Sequence, residues 1–153
     1  MKVVRKLLAP LLVVGILLTS LISLHQLKAD KKKDVFRIGI SQFITHQSLD
    51  ATREGFVDEL AKQGYAEGKN IEIDLQNAQG EQRNLKTISQ QLAESSDVVL
   101  AIATPSAQSL ANTTHTTPVV FSAVTDPVSA KLVESREHPG GNVTGTSDQS
   151  SDA

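Results

Sequence analysis

Hydrophobic positions along this chain fall into three kinds of pattern, and each predicts a different element. "DVFRIGISQF" sets Val35, Phe36, Ile38 and Ile40 in a short run rich in β-formers, which predicts a buried strand ending at Ser41. "SLDATREGFVDELAKQGY" spaces Leu49, Phe56, Val57 and Leu60 along one helical face, with Ser48 as the expected N-cap and Gly64 as the expected stop. "NIEIDLQNAQG" alternates: Ile71, Ile73 and Leu75 point one way, Glu72, Asp74 and Gln76 the other. That alternation predicts a half-exposed strand at a sheet edge. "EQRNLKTISQQLAES" returns to helical spacing through Leu85, Ile88 and Leu92. "DVVLAIA" is a continuous apolar run, the pattern of a strand covered on both faces. A short helix is expected from Pro105 to about Asn112, and a buried strand at 118–124. A fourth helix is expected over "PVSAKLVES" at 127–135, and a last short strand from Asn142 to Thr146.

The order is β-α-β-α-β-α-β-α-β. Strict alternation at these lengths predicts an α/β fold: an open parallel sheet of about five strands, with right-handed crossovers and helices on both faces. The alternating second strand belongs at an edge, so the expected order is 2-1-3-4-5. In such a sheet ligands bind outside the carboxyl ends of the strands. Those ends carry Ser41, Gln42 and Phe43, then Asn77, then Thr104, Pro105 and Ser106, then Thr125 and Asp126, then Thr146, Ser147 and Asp148. The rim is polar and mostly neutral, with one aromatic and two carboxylates.

Two of these corners look alike. "AIATPSAQSLA" and "SAVTDPVSAKL" each run from small apolar residues through Thr into Pro and a helix-forming segment. Proline suits the first helical position, which places Thr104 and Asp126 at N-caps. Behind Thr104 the amides of Ser106 and Ala107 would face open space at a positive helix end, a site suited to a carboxylate. Asp126 brings its own negative charge. It either caps its helix or accepts from a ligand ammonium. Adjacent strands lie about 4.8 Å apart, so neighbouring corners of this kind would bracket the two charged groups of a free amino acid. The competing reading is capping alone, because Thr-Pro and Asp-Pro are ordinary helix starts.

Charge and composition add the setting. Residues 1–33 hold seven basic groups and one acidic, +6 in all, while residues 34–153 hold eight basic and sixteen acidic, −8. An acidic body argues against nucleic acid as a partner. Lys2, Arg5 and Lys6 precede an uncharged run from Leu7 to Leu27, the layout of an export signal. "LKA" at 27–29 is a poor cleavage site, and the basic cluster Lys28 and Lys31–Lys33 sits where positive charge resists translocation, so 1–33 reads either as a signal peptide or as a membrane anchor. Both place the body outside the cytoplasmic membrane. The chain has no Cys, hence no disulfide and no lipid-modified cysteine. His25, His46, His115 and His138 lack metal-ligand spacing, so no metal is expected. Neither GxGxxG nor GxxxxGK[ST] occurs, and no nucleophile–base pair is visible, so no cofactor and no catalytic activity are expected.

Four blocks, "RIGISQFITHQSLDATREGFVDELAKQGYAEGKNIEIDLQNAQGE", "VLAIATPSAQSLANTT", "TPVVFSAVTDPVSAKLV" and "PGGNVTGTSD", together resemble the ABC-transporter substrate-binding proteins of the aromatic-amino-acid (tryptophan/tyrosine) type. The resemblance covers nearly all of 35–148. It implies one lobe of a type I periplasmic-binding-protein fold, a monomer that closes on an amino acid and delivers it to a membrane permease. By position it implies ligand contacts at Gln42 and Phe43, carboxylate contacts at Thr104, Ser106 and Ala107, and contacts to the polar or amino end at Thr125 and Asp126. Ser147 and Asp148 join them on the rim. Phe43 would either stack on an aromatic ligand or serve the core. The chain departs from the family in lacking the lipobox cysteine. On this reading residues 34–153 are an N-terminal lobe cut at the hinge, with the second lobe missing. The other class of reading is a membrane-anchored flavodoxin-like interaction or sensor domain.

Overall fold

The structure is a computed structural model that describes residues 35–148. The export segment expected at 1–33 lies outside them. Strand β1 (Phe36–Gln42) is followed by α1 (Gln47–Lys62), β2 (Ile71–Asn77), α2 (Gln82–Ser95), β3 (Val98–Ile102), α3 (Thr104–Thr113), β4 (Val119–Val124) and β5 (Val143–Ser147). All four strand pairings are parallel and the order is β2-β1-β3-β4-β5. The expected α/β sheet is therefore present, with β2 at one edge. Among the described residues no helix is long and apolar enough to cross a membrane.

The core has two layers, one on each face of the sheet. On one face Leu85, Ile88 and Leu92 of α2 and Ala107 and Leu110 of α3 pack on Val99, Ala101, Val119 and Phe121. On the other, Leu49, Phe56, Val57 and Leu60 of α1 pack on Ile38, Ile40, Leu100 and Ile102. β3 contributes to both layers in alternation, which is why its sequence is apolar without a break. The edge strand grades outward from Ile71, which is buried, to Leu75, which is 42% exposed.

Three local expectations need correction. The N-cap of α1 is His46, not Ser48: its backbone is extended and its Nδ1 accepts from the Ser48 amide at 3.3 Å. Gly64, just past the C-cap Gln63, has φ +90°, the left-handed conformation that favours glycine at this stop. At α3 the N-cap is Ala103, so Thr104 lies inside the helix.

The third correction is larger. Residues 127–135 form no helix but a single turn. The Ala130 amide donates to the Asp126 carbonyl at 3.0 Å and the Leu132 amide to the Pro127 carbonyl at 2.9 Å, and there the turn stops. Lys131 takes φ +58°. The Ala130 carbonyl, which a continuing helix would offer to Glu134, accepts instead from Nε2 of Gln108 on α3 at 3.1 Å. The Glu134 amide turns to the Pro139 carbonyl at 3.0 Å. Leu132 and Val133 then plug into the core layer beneath α3 rather than forming a helical stripe.

Candidate functional site

The sequence placed two Thr–Pro corners at the carboxyl end of the sheet, and the structure makes them neighbours. β3 pairs with β4 through Ile102 and Ser122, and the Ala103 amide extends that ladder to the Ser122 carbonyl at 3.0 Å. The zwitterion bracket required adjacent strands, and these are adjacent.

The first corner is built on an unusual backbone. Ala103 has φ 77° and ψ 154°, a region populated almost only by glycine. Its conformation swings the chain from β3 directly into α3. The Ala107 amide donates to the Ala103 carbonyl at 3.1 Å, closing the first turn. Ala107 thus spends its amide inside the helix, contrary to the open donor expected of it. A helix leaves its first amides without intrahelical partners. Pro105 has none to leave, so the amides of Thr104 and Ser106 remain. Ser106 is fully buried and its hydroxyl has no hydrogen-bond partner. A buried hydroxyl without a partner costs about 1–3 kcal/mol, and this one sits in the same first turn as the two amides.

The second corner is self-capped. Asp126 Oδ1 accepts from the amides of Val128 and Ser129, both at 3.1 Å, and Oδ2 accepts from the Ser129 hydroxyl at 2.5 Å. These bonds, the Ser129 hydroxyl first, hold the Asp126 carboxyl below its ordinary range. It is therefore a carboxylate at neutral pH, and a carboxylate has about four acceptor positions, so one remains. Thr125 is exposed, and its carbonyl accepts from the Ser147 hydroxyl at 2.7 Å. The Asp148 amide donates to the Val124 carbonyl at 3.2 Å, which holds Ser147 and Asp148 against this corner. Ser122 and Thr146 bring their hydroxyls to 3.4 Å of each other on the same strands.

The end of β1 is tied down differently. Gln42 is buried; its Nε2 donates to the Ile44 carbonyl at 2.9 Å and to Asp50 Oδ1 at 2.8 Å, while Oε1 has no partner. Phe43 is half-buried and packs against the larger core layer. Asn77 donates to Thr45 Oγ1 at 3.1 Å and accepts from the Gln79 amide, so it braces the loops around the rim. Ser41, named on the rim without a ligand role, lies inside the strand. It is fully buried with an unpartnered hydroxyl, like Ser106. A serine in an apolar run just before a strand end was the available signal. Among the described residues no three His, Asp or Glu side chains gather as a metal ion would need.

Comparisons with known proteins agree with the fold. The family model of ABC transporter substrate-binding proteins matches residues 37–152. A tyrosine-binding protein of Clostridioides difficile (strain R20291) is 48% identical over 122 residues, which are 79% of this chain and 35% of that protein. Among solved structures, the ligand-free, open form of a Clostridium difficile substrate-binding protein with adhesive properties superposes with a TM-score of 0.75 at 48% identity, over 77% of this chain and 40% of that one. A conserved domain protein of Vibrio cholerae gives 0.74 at 50% identity, over 76% and 40%. An ABC domain from Streptococcus pneumonia in complex with L-Trp gives 0.72 at 45% identity, over 74% and 39%. The chain thus spans little more than a third of the length of its curated relative.

Proposed function

Since this chain belongs to the ABC transporter substrate-binding protein family, we propose that its rim is half of an amino-acid site in the extracytoplasmic solute-binding component of an ABC importer. The relatives named for tyrosine and solved with L-Trp favour an aromatic amino acid as the ligand. The observation that carries the reading is the buried, unpartnered Ser106 hydroxyl in the first turn of α3, one strand away from the Asp126 carboxylate. Thr104 and Ser106 would receive the ligand carboxylate through amides and hydroxyl. Asp126, with Thr125 beside it, would accept from the ammonium. Gln42, Ser147 and Asp148 would line the flanks. A second lobe closing over this rim would exclude water and strengthen every one of these bonds. Delivery to a membrane permease, and export directed by residues 1–33, belong to the same proposal.

The test is titration of the isotope-labelled chain with L-Trp, L-Tyr and L-Phe at millimolar concentration, followed by NMR. Amide shifts should be confined to Thr104, Ser106, Thr125 and Asp126. The corresponding amino-acid amides, which lack a carboxylate, should not shift Thr104 and Ser106. Equal response to acids and amides, or no response at these residues, would overturn the carboxylate assignment.

A further inference from the structure

The opposite flank of the sheet carries a second surface, independent of the ligand rim. In a parallel ladder the backbone groups of successive residues turn to alternate sides. Phe36 donates to the Asn70 carbonyl and Ala78 donates to the Gln42 carbonyl, so the even-numbered residues of β2 face β1. Ile71 faces outward, where its carbonyl accepts from Gly68 at 3.1 Å. Ile73 and Leu75 follow the same outward phase beyond that loop, and among the described residues their amides and carbonyls form an open edge. Sheet edges are ordinarily blunted by charged side chains (lysine above all), proline or a bulge. β2 has no lysine, proline or bulge, its only charges are Glu72 and Asp74, and its register with β1 is unbroken from Ile71 to Asn77.

The side chains on this edge are sorted by chemistry. Ile73 and Leu75 join Ile40 and Val57 in a groove of about 310 Å³ between α1 and β2, rimmed by Arg53, Glu54, Asp58 and Glu67. Arg53 is already paired with Asp50 at 3.8 Å and Glu54 at 3.4 Å. Asp58 and Glu67 carry no ion pair among the described residues. On the other face of β2 stand Glu72, which pairs with Arg37 at 3.9 Å, and Asp74, which accepts from Gln76 Nε2 at 2.6 Å. One face of the edge is therefore apolar with a mostly acidic rim, and the other carries two carboxylates beside one arginine.

We propose that the outer edge of β2 is a docking site for an extended segment of a partner protein in which aliphatic and basic residues alternate. Such a segment would add a strand beside Ile73 and Leu75, set its aliphatic side chains into the groove, and turn its basic ones toward Glu72 and Asp74. Strand addition of this kind takes affinity from main-chain hydrogen bonds and specificity from alternate side chains. A second copy of this chain fits poorly, because antiparallel pairing of two β2 strands would set Glu72 and Asp74 against the same acidic pair.

The probe is a blocked octapeptide alternating valine and lysine, titrated into the full chain with amide exchange read by NMR. Exchange at Ile73 and Leu75 should slow by about tenfold or more at saturation. Affinity should fall as salt rises. Leu75→Lys should weaken binding by about tenfold or more, and Asp58→Lys, at an exposed helical position, by a smaller factor with unchanged circular dichroism. The L-Trp response at Ser106 should be unaffected by either variant, which separates this surface from the ligand rim. Absence of slowed exchange at Ile73 and Leu75, equal binding of a valine–glutamate peptide, or undiminished binding by Leu75→Lys would overturn the proposal. So would protection of the same amides by self-association in the absence of peptide.

Discussion

The amide of Ala103 donates to the carbonyl of Ser122 at 3.0 Å, and this bond holds a strained residue at the junction of the two corners. Ala103 is kept at φ 77° by the ladder on one side and by the first turn of α3 on the other. A non-glycine residue in this region costs on the order of 1–3 kcal/mol. Ala103→Gly should therefore raise stability by about 1 kcal/mol after the added entropy of the unfolded glycine is subtracted. The same change at Ala111, within α3, should lower stability by about 1 kcal/mol. Chemical denaturation of both variants checks the contrast; destabilisation by Ala103→Gly would show that the strain is not there.

Ser106 separates ligand binding from stability. Its hydroxyl is buried and has no hydrogen-bond partner among the described residues. Ser106→Ala should leave the fold within about 1 kcal/mol of the parent, on the stabilising side, since it removes an unpaired polar group. If the hydroxyl serves a carboxylate, the same variant should bind L-Trp about 10- to 100-fold more weakly, the worth of one charge-assisted bond. Paired thermal melts and ligand titrations read both effects. Loss of stability without loss of affinity would assign Ser106 to the fold instead.

The sheet was legible in the sequence because burial writes itself into hydrophobic spacing. The unbroken run at 98–102 had to be central and the alternation of Glu72, Asp74 and Gln76 had to be peripheral. What stayed hidden depends on partners distant in the chain. The segment 127–135 has helical composition, but Gln108 takes the Ala130 carbonyl and Lys131 turns left-handed, and neither is visible in a local window. The first corner shifted by one residue for a similar reason. Thr104 is the better cap by residue type, yet the ladder to Ser122 ends at Ala103 and makes that residue the N-cap. That one-residue shift withdraws the Ala107 amide from the rim. The rim itself was readable from topology alone, while the unpartnered hydroxyls that single out Ser41 and Ser106 needed coordinates.

Gly145 lies where β5 crosses Phe121. A Cβ added there would meet the Phe121 carbonyl oxygen at 2.1 Å and its ring at 2.6 Å. The obstacle is backbone, which cannot step aside without breaking the β4–β5 register beside the second corner. Gly145→Ala should cost about 2 kcal/mol or more. It should also disturb the bond from Ser147 to Thr125. Denaturation midpoints and the amide shifts of Thr125 and Asp126 would register the change, and a neutral substitution would contradict the packing described.

Asp126 makes stability depend on pH in a defined direction. The Ser129 hydroxyl and the amides of Ser129 and Val128 hold its folded carboxyl below the ordinary aspartate value of about 3.9. A depressed folded value means that the unfolded state binds the proton more readily. The cap's charge-dependent contribution is then complete above the ordinary value and is lost as pH falls through the depressed one. Asp126→Asn keeps an acceptor oxygen but cannot titrate. The stability difference between parent and Asp126→Asn should be constant from neutral pH down to the ordinary aspartate range and shrink below it. Near neutrality the same variant tests the second role: capping alone predicts unchanged affinity for L-Trp, whereas an ammonium partner predicts a loss of about tenfold. A flat pH profile would show that the three donors do not favour the ionised form, and the affinity measured alongside it would still decide between cap and bracket.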